Sequence, residues 1–240
     1  MTATPPLTSQ KRSPLVYVAA GCGALLILAA LAVGTGFYFL KRKAAEMAEE
    51  NKDPALRAAK ARELLHADRL PDGYYAVAAM SVPMLDVVVL GDQPPRASGA
   101  PTSPALRGLI YTRMFREPAN VTLLRAFVAG ESNDPSAMRA SGIDLATREI
   151  IRRGTLSLGG GTVLYCAQRG TMTARGTSAR GLQVVSLTDC PDRNLRMSIW
   201  FGPDPDPSRP VAELDLAGSV ADENELRRFL SHFGLCGPGS

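Results

Sequence analysis

Residues 163–201 read VLYCAQRGTMTARGTSARGLQVVSLTDCPDRNLRMSIWF. The stretch is built from short runs of β-branched, aromatic and aliphatic residues, which predicts strands over Val163 to Gln168, Thr171 to Ala174, Leu182 to Thr188 and Arg196 to Phe201. The only tryptophan, Trp200, falls in the last of these. Gly170, Gly176 and Gly181 are read as turns, with Arg169, Arg175 and Arg180 beside them on a solvated hairpin rim. No aromatic residue is interleaved with these arginines to stack on a base, so the segment does not read as a nucleic-acid site.

Just upstream, Gly159-Gly160-Gly161 leads into a strand. A phosphate loop would need a following Lys-Ser or Lys-Thr and a helix N-terminus, so the triplet is read as a flexible turn. Further back, Leu70-Pro71-Asp72-Gly73 forms a turn before strands over Tyr74 to Met80 and Met84 to Leu90. Pro83 cannot donate to a ladder and marks a bulge, an edge or a turn. Gly91 to Leu106 carries four prolines and is a long surface loop with room to bind something. Gly108 to Arg116 and Val121 to Val128 suggest a hairpin around Glu117-Pro118-Ala119-Asn120. The acceptor-like Asn120-Val121-Thr122 is read as part of that hairpin. Asn133 or Asp134 caps an expected helix with Pro135 at its first position, running through Met138, Ile143, Ala146 and Ile150 to Gly154.

Downstream, Pro203, Pro205, Pro207 and Pro210 mark a loop; its Asp204 and Asp206 lack the further ligands that calcium needs. Asp222 and Glu225 then form a capping box. Leu226, Phe229, Leu230 and Phe233 make one apolar stripe, and Gly234 is read as a left-handed helix stop with Leu235 folding back on Leu230. Together these segments predict an α+β domain over residues 70–240, with a mainly antiparallel sheet of about six to eight strands and flanking helices.

The N-terminal part differs in kind. Residues 1–14 form a polar, disordered tail. Residues 15–40 are uninterruptedly apolar and span roughly 39 Å as a helix, enough to cross a hydrocarbon core of about 30 Å, so a single transmembrane helix is expected and the lipid bilayer is its partner. Aromatic residues lie near both ends, and the membrane-flanking charges are Lys11 and Arg12 on one side, Lys41, Arg42 and Lys43 on the other. These flanks do not decide orientation. A polar tail with no leader ahead of it is the ordinary form of a signal anchor, which leans toward an exported domain. Three small-residue pairs (Ala19 with Gly23, Ala30 with Gly34, Ala32 with Gly36) permit self-association through the helix. Residues 41–69 are a juxtamembrane helical spacer, restarted at Asp53-Pro54, with Leu56, Ala59, Leu64 and Leu65 facing the sheet and Arg57, Lys60, Arg62 and Glu63 facing water.

Charge follows the same division. The chain carries 27 basic and 23 acidic residues, and five of the basic ones flank the apolar segment. From Ala44 onward 22 bases therefore face 23 acids, and the basic character belongs to the anchor. No nucleic-acid partner is expected, since that needs a basic face. The predominance of Arg over Lys in the domain, with abundant Ala, Gly and Pro, points to a GC-rich bacterial genome. Cys22 lies in the anchor, which leaves Cys166, Cys190 and Cys236. In an exported domain Cys166 and Cys190 are the candidate disulfide, against three buried thiols in a reducing compartment.

His66 and His232 both fall on predicted helices, and neither has metal-ligand spacing. The sequence contains no nucleophile elbow, Walker loop, dinucleotide fingerprint, zincin helix or Cys-x-x-Cys, so no catalytic, cofactor or metal residue is assigned. The functional expectation is a membrane-anchored, noncatalytic interaction or accessory module of the bacterial envelope with a protein partner. The alternative is a membrane-tethered small-molecule hydrolase or transferase with a cleft near the Pro-rich loop. A clustered acid, base and nucleophile would favour the alternative, and an exposed apolar patch or sheet edge the first.

Overall fold

The computed structural model describes residues 52–94, 107–115, 121–134, 136, 144–159, 161–174, 177–192 and 194–237. The chain divides into two units, residues 1–48 and 49–240, and only the second is described. The expected anchor at 15–40, its flanking Lys11, Arg12, Lys41, Arg42 and Lys43, and most of the Pro-rich loop lie outside the described residues. Among those described, no helix is long and apolar enough to cross a membrane.

The second unit is an α+β domain built on one seven-stranded, wholly antiparallel sheet. Its strands are β1 (Tyr75–Val82), β2 (Leu85–Gly91), β3 (Gly108–Met114), β4 (Asp144–Leu158), β5 (Gly161–Ala174), β6 (Thr177–Asp189) and β7 (Leu195–Gly202), in the spatial order β1-β2-β3-β7-β6-β5-β4. Two meanders thus meet where β3 pairs with β7. The β3–β4 connection carries the chain from the middle of the sheet to its far edge, and β4 to β7 bring it back.

Helix α1 (Pro54–Leu65) starts as its sequence demands: Asp53 Oδ1 accepts from Ala55 N at 2.7 Å and Pro54 occupies the first turn. It packs on β1 and β2 through Ala61, Leu64 and Leu65. Three expectations reverse here, the exposed Ala59 among them. Leu56 is 53% exposed, whereas Arg57 is buried with its Nε donating to the Ala76 carbonyl at 2.6 Å. The guanidinium is tolerated inside because it satisfies a backbone acceptor beside the bulge at Ala76/Ala78. The first hairpin turns at Pro83-Met84, since Val82 pairs with Leu85 and Met84 takes φ 76°.

Helix α2 (Val121–Ala129) replaces the expected strand. Val121, Leu124, Phe127 and Val128 are its buried residues, a helical spacing that tertiary packing favours over the local β-propensity of Val and Phe. Strand β4 replaces the latter part of the expected helix through Gly154. Bulges between Thr147 and Glu149 and between Ile150 and Arg152 insert extra residues, converting a period of two into a spacing near three that imitates a helix. Gly170 and Gly181 are not turns; they face each other inside the β5–β6 ladder. Arg169 is nearly buried and not on a rim: its Nε pairs with Asp204 at 2.7 Å and its Nη1 donates to the Arg209 carbonyl, holding the 203–210 loop on the sheet.

Helix α3 (Glu223–Leu230) is capped by Asp222, whose Oδ1 accepts from Asn224 N at 2.9 Å, and buries Leu226, Phe229 and Leu230, with Phe233 following. Gly234 is required for a reason other than a left-handed stop. Its N–H donates to the carbonyls of Leu65 and His66, and a Cβ there would meet the His66 oxygen at 2.9 Å. The C-terminal segment therefore caps α1 across the fold. A Gly234→Ala variant should lose about 2 kcal/mol by forcing these backbones apart, read as a lower urea midpoint.

The sheet has an apolar layer on each side. On one face, α1 and α3 cover Val88, Leu90, Leu109, Tyr165, Val184 and Trp200. On the other, α2 covers Cys166, Val185, Leu187, Met197 and Ile199. Helix α2 packs over β4, β5 and β6.

Candidate functional site

A cleft of about 510 Å³ opens at the Gly91/Gly202 end of the α1–α3 face. Its walls come from the 71–74 turn, Arg107 at the end of the Pro-rich loop, the 203–205 loop, the 215–220 turn and α3. Phe229 anchors the floor. Its ring stacks on Trp200 with centroids 4.3 Å apart and planes 4° from parallel, while Tyr74 and Phe233 pack at 5.1 and 5.3 Å. Trp200 Nε1 donates to the Tyr74 hydroxyl at 2.9 Å. Burial raises the Tyr74 phenol pKa above its ordinary value, with the bond from Trp200 opposing it, so the hydroxyl stays protonated at neutral pH.

The polar groups on the rim are held in local bonds. Ser219 Oγ donates to the Leu216 carbonyl at 2.7 Å and accepts from Ala221 N at 3.2 Å. His232 Nδ1 lies 2.9 Å from the Arg228 carbonyl, Arg228 pairs with Glu225, and Asp215 accepts from Ala217 N. A serine nucleophile would need its proton facing a base, but this hydroxyl belongs to a turn. The cleft can therefore hold an apolar or mixed group against its aromatic floor, and its hydroxyl and imidazole are not arranged as a relay.

At the opposite end of the same face lies an ionic cluster. Asp86 is fully buried and accepts from Arg113 Nε at 2.7 Å through Oδ2, while its Oδ1 has no hydrogen-bond partner among the described residues. Beside it, Arg196 is 2% exposed and bonds Asp192. His66 Nε2 lies 3.5 Å from Arg113 Nη1. Burial and then the charges of Arg113 and Arg196 lower its pKa, so the ring is neutral near pH 7. Removing one member of the buried pair strands the other's charge. Arg113→Ala should destabilise by about 3 kcal/mol, and Asp86→Leu combined with Arg113→Met should restore most of that in urea melts.

Three carboxylates shape the acid side of the stability profile, Asp206 among them through the bonds that Ser208 donates to it. Hydrogen bonds from Arg196 hold Asp192 well below the ordinary range, and the Gly218 amide, followed by Asn224, lowers Asp222. A carboxyl whose folded-state pKa is depressed stabilises fully above the unfolded value of about 4 and loses that contribution as pH falls from there through its folded value. Stability should therefore drop below about pH 4, and Asp192→Asn should make that drop shallower.

The second candidate surface is the α2 side of β1–β3. Met80, Leu85, Val87, Val89, Ile110 and Met114 share this face by register and are each partly buried, with Ile110 and Met114 packed against the core under α2. Their neighbours on the other face behave differently: Val88 is 0% exposed, Leu90 and Leu109 1%. Beyond the strand ends Met84 is 57% exposed and Phe115 45%, and the Phe115 ring lies 4.9 Å from the Arg113 guanidinium, on the side of the sheet that holds Asp86. Sequence reading found all three strands but missed this open face, because it paired β3 with a strand at 121–128 where α2 lies.

The cysteines differ from expectation. Cys190 bonds Cys236, with Cα atoms 5.3 Å apart, and Cys166 is a free, buried thiol. The β5–β6 register explains why. Asp189 lies opposite Thr162, which places Cys190 roughly 15 Å along the ladder from Cys166. Burial raises the Cys166 pKa, leaving an unreactive thiol under α2. Among the described residues, no group of three or more His, Cys, Asp or Glu could hold a metal ion.

Comparison with protein-family models and with curated proteins finds no match to this chain.

Proposed function

We propose that this chain is a membrane-anchored, noncatalytic interaction or accessory module of the bacterial envelope, with its sheet domain on the exported side. The observation that carries the proposal is the partly exposed aliphatic face of β1–β3, a sheet surface of the kind that partners cover. Export is supported by the Cys190–Cys236 bond, since disulfides persist in oxidising compartments. The cleft beside Arg107 lies where a hydrolase or transferase would need it, but its Ser219 and His232 are already engaged in turn and helix-end bonds.

Alkaline extraction of membranes tests the anchoring. The full chain is expected to stay in the membrane pellet and a chain lacking residues 15–40 to leave it; release of the full chain would sink the proposal.

A further inference from the structure

We infer that the cleft between the 71–74 turn, the 203–205 loop and α3 binds a short peptide of two or three residues, with both termini free and an apolar side chain. Such a site lies within the domain and stands apart from both the anchoring and the sheet face. Three features select this ligand.

The first is the charge left over in the walls. Glu225 pairs with Arg228, Asp72 lies 3.8 Å from Arg69, and His232 Nδ1 donates to the Arg228 carbonyl. Arg107 and Asp215 remain. Among the described residues the Arg107 guanidinium forms no hydrogen bond or ion pair, its backbone N–H alone donating to Asp92, and Asp215 accepts only from the Ala217 amide at 3.0 Å. One unmatched cation and one unmatched carboxylate complement a zwitterion. A simple anion would use Arg107 and meet Asp215 as a like charge, and an uncharged sugar would engage neither.

The second is the donor set at the Arg107 end. The Tyr74 oxygen accepts from Trp200 Nε1 at 2.9 Å, and its own proton has no acceptor among the described residues. Burial acts most on this phenol, then the Trp200 bond, then the charge of Arg107, which places the guanidinium near the hydroxyl. A guanidinium and an unspent O–H together suit a carboxylate, whose oxygens accept several bonds.

The third is the floor and the size. Phe229, Trp200 and Tyr74 hold one another in place as an apolar floor, and Pro71, Pro203 and Pro205 stiffen the walls, so the site is formed before a ligand arrives. Its 510 Å³ lies within the range of roughly 300 to 1,000 Å³ that small ligands use, and two or three extended residues span about 7 to 11 Å. With Ser219 and His232 held in turn and helix-end bonds, the peptide is bound and not cleaved.

The test uses the full chain in phosphatidylcholine bicelles, titrated with the peptides Ala-Leu and Ala-Leu-Ala. Trp200 is the only tryptophan and lines the cleft, so its emission reports occupancy. The expected result is a saturable change in emission with at least one of the two. Acetylating the ammonium or amidating the carboxylate should each weaken binding about tenfold, as loss of a charged hydrogen bond does. Arg107→Gln should weaken the free peptide by the same factor and leave the amide unaffected; Asp215→Asn should weaken the free peptide and leave the acetylated one unaffected. Both side chains are exposed on the rim, so each variant should keep the native urea midpoint, and a folding defect would not produce this pairing of variant with blocked terminus. No saturable change with either peptide through about 10 mM would overturn the site. Equal affinity for either blocked peptide, or variants that weaken free and blocked peptides alike, would overturn the zwitterionic ligand.

Discussion

Phe229→Ala is expected to cost the domain about 4 kcal/mol, the middle of the range for emptying a buried phenylalanine site. Phe229 is 6% exposed and is the shared partner of Trp200, Tyr74 and Phe233, so its loss removes three ring contacts and leaves Trp200 without the face it stacks on. Collapse around the hole is restricted, because Trp200 is fixed by its bond to Tyr74 and by its place in β7 between β3 and β6. Urea unfolding followed by Trp200 fluorescence reads the effect directly, with only one tryptophan in the chain. Phe229→Leu should lose less than half as much, because a large aliphatic side chain still fills most of the volume. A cost below about 1 kcal/mol for the alanine variant would mean that the stacked pair does not organise this end of the core.

Breaking the disulfide should cost nearly as much. Cys190 and Cys236 are 46 residues apart, and closing a loop of that size in the unfolded chain is worth roughly 4 kcal/mol. The bond also has a local task. It fastens the segment holding Phe233 and Leu235 in the core, whose Gly234 caps α1. Reductant should lower the urea midpoint of the native protein by the amount that Cys236→Ser lowers it, and should leave the Cys236→Ser variant unmoved. A native protein indifferent to reductant would contradict the pairing of these two cysteines. Gly161 belongs to the same arrangement, since a Cβ there would lie 2.5 Å from the Cys236 sulfur.

The elements legible in the sequence are those whose local signals agree with their tertiary place. Strands β1, β2, β3 and β7 combine β-branched residues with clear interruptions, and α1 and α3 carry their own caps at Asp53 and Asp222; β5 reads as two strands split at Gly170 and β6 only over its second half, because glycine inside a ladder looks like a turn. The misread elements are those in which packing overrules local preference. In α2, Val and Phe resemble strand residues and the segment is short enough to fit either period. In β4, two bulges and apolar contacts on both faces, Ile150 toward α2 and Ile151 toward the other core, erase the alternation. The disulfide was illegible for a different reason: pairing depends on register, and no spacing rule places Cys236 beside Cys190 until the tail is known to return to the β6 end. Of the candidate site, sequence reading anticipated a cleft near the Pro-rich loop, whereas the open sheet face emerges only when α2 is seen to cover the other half of that side.

The central claim, that this sheet domain stands on the exported side of a membrane, is tested most directly by labelling an Ala212→Cys chain with a membrane-impermeant maleimide in intact right-side-out spheroplasts. Residue 212 is exposed in a one-turn 3-10 helix of the domain, Val211–Glu213. Labelling before lysis, equal to that after lysis, is the predicted result; labelling that appears only after lysis would place the domain inside and contradict the claim.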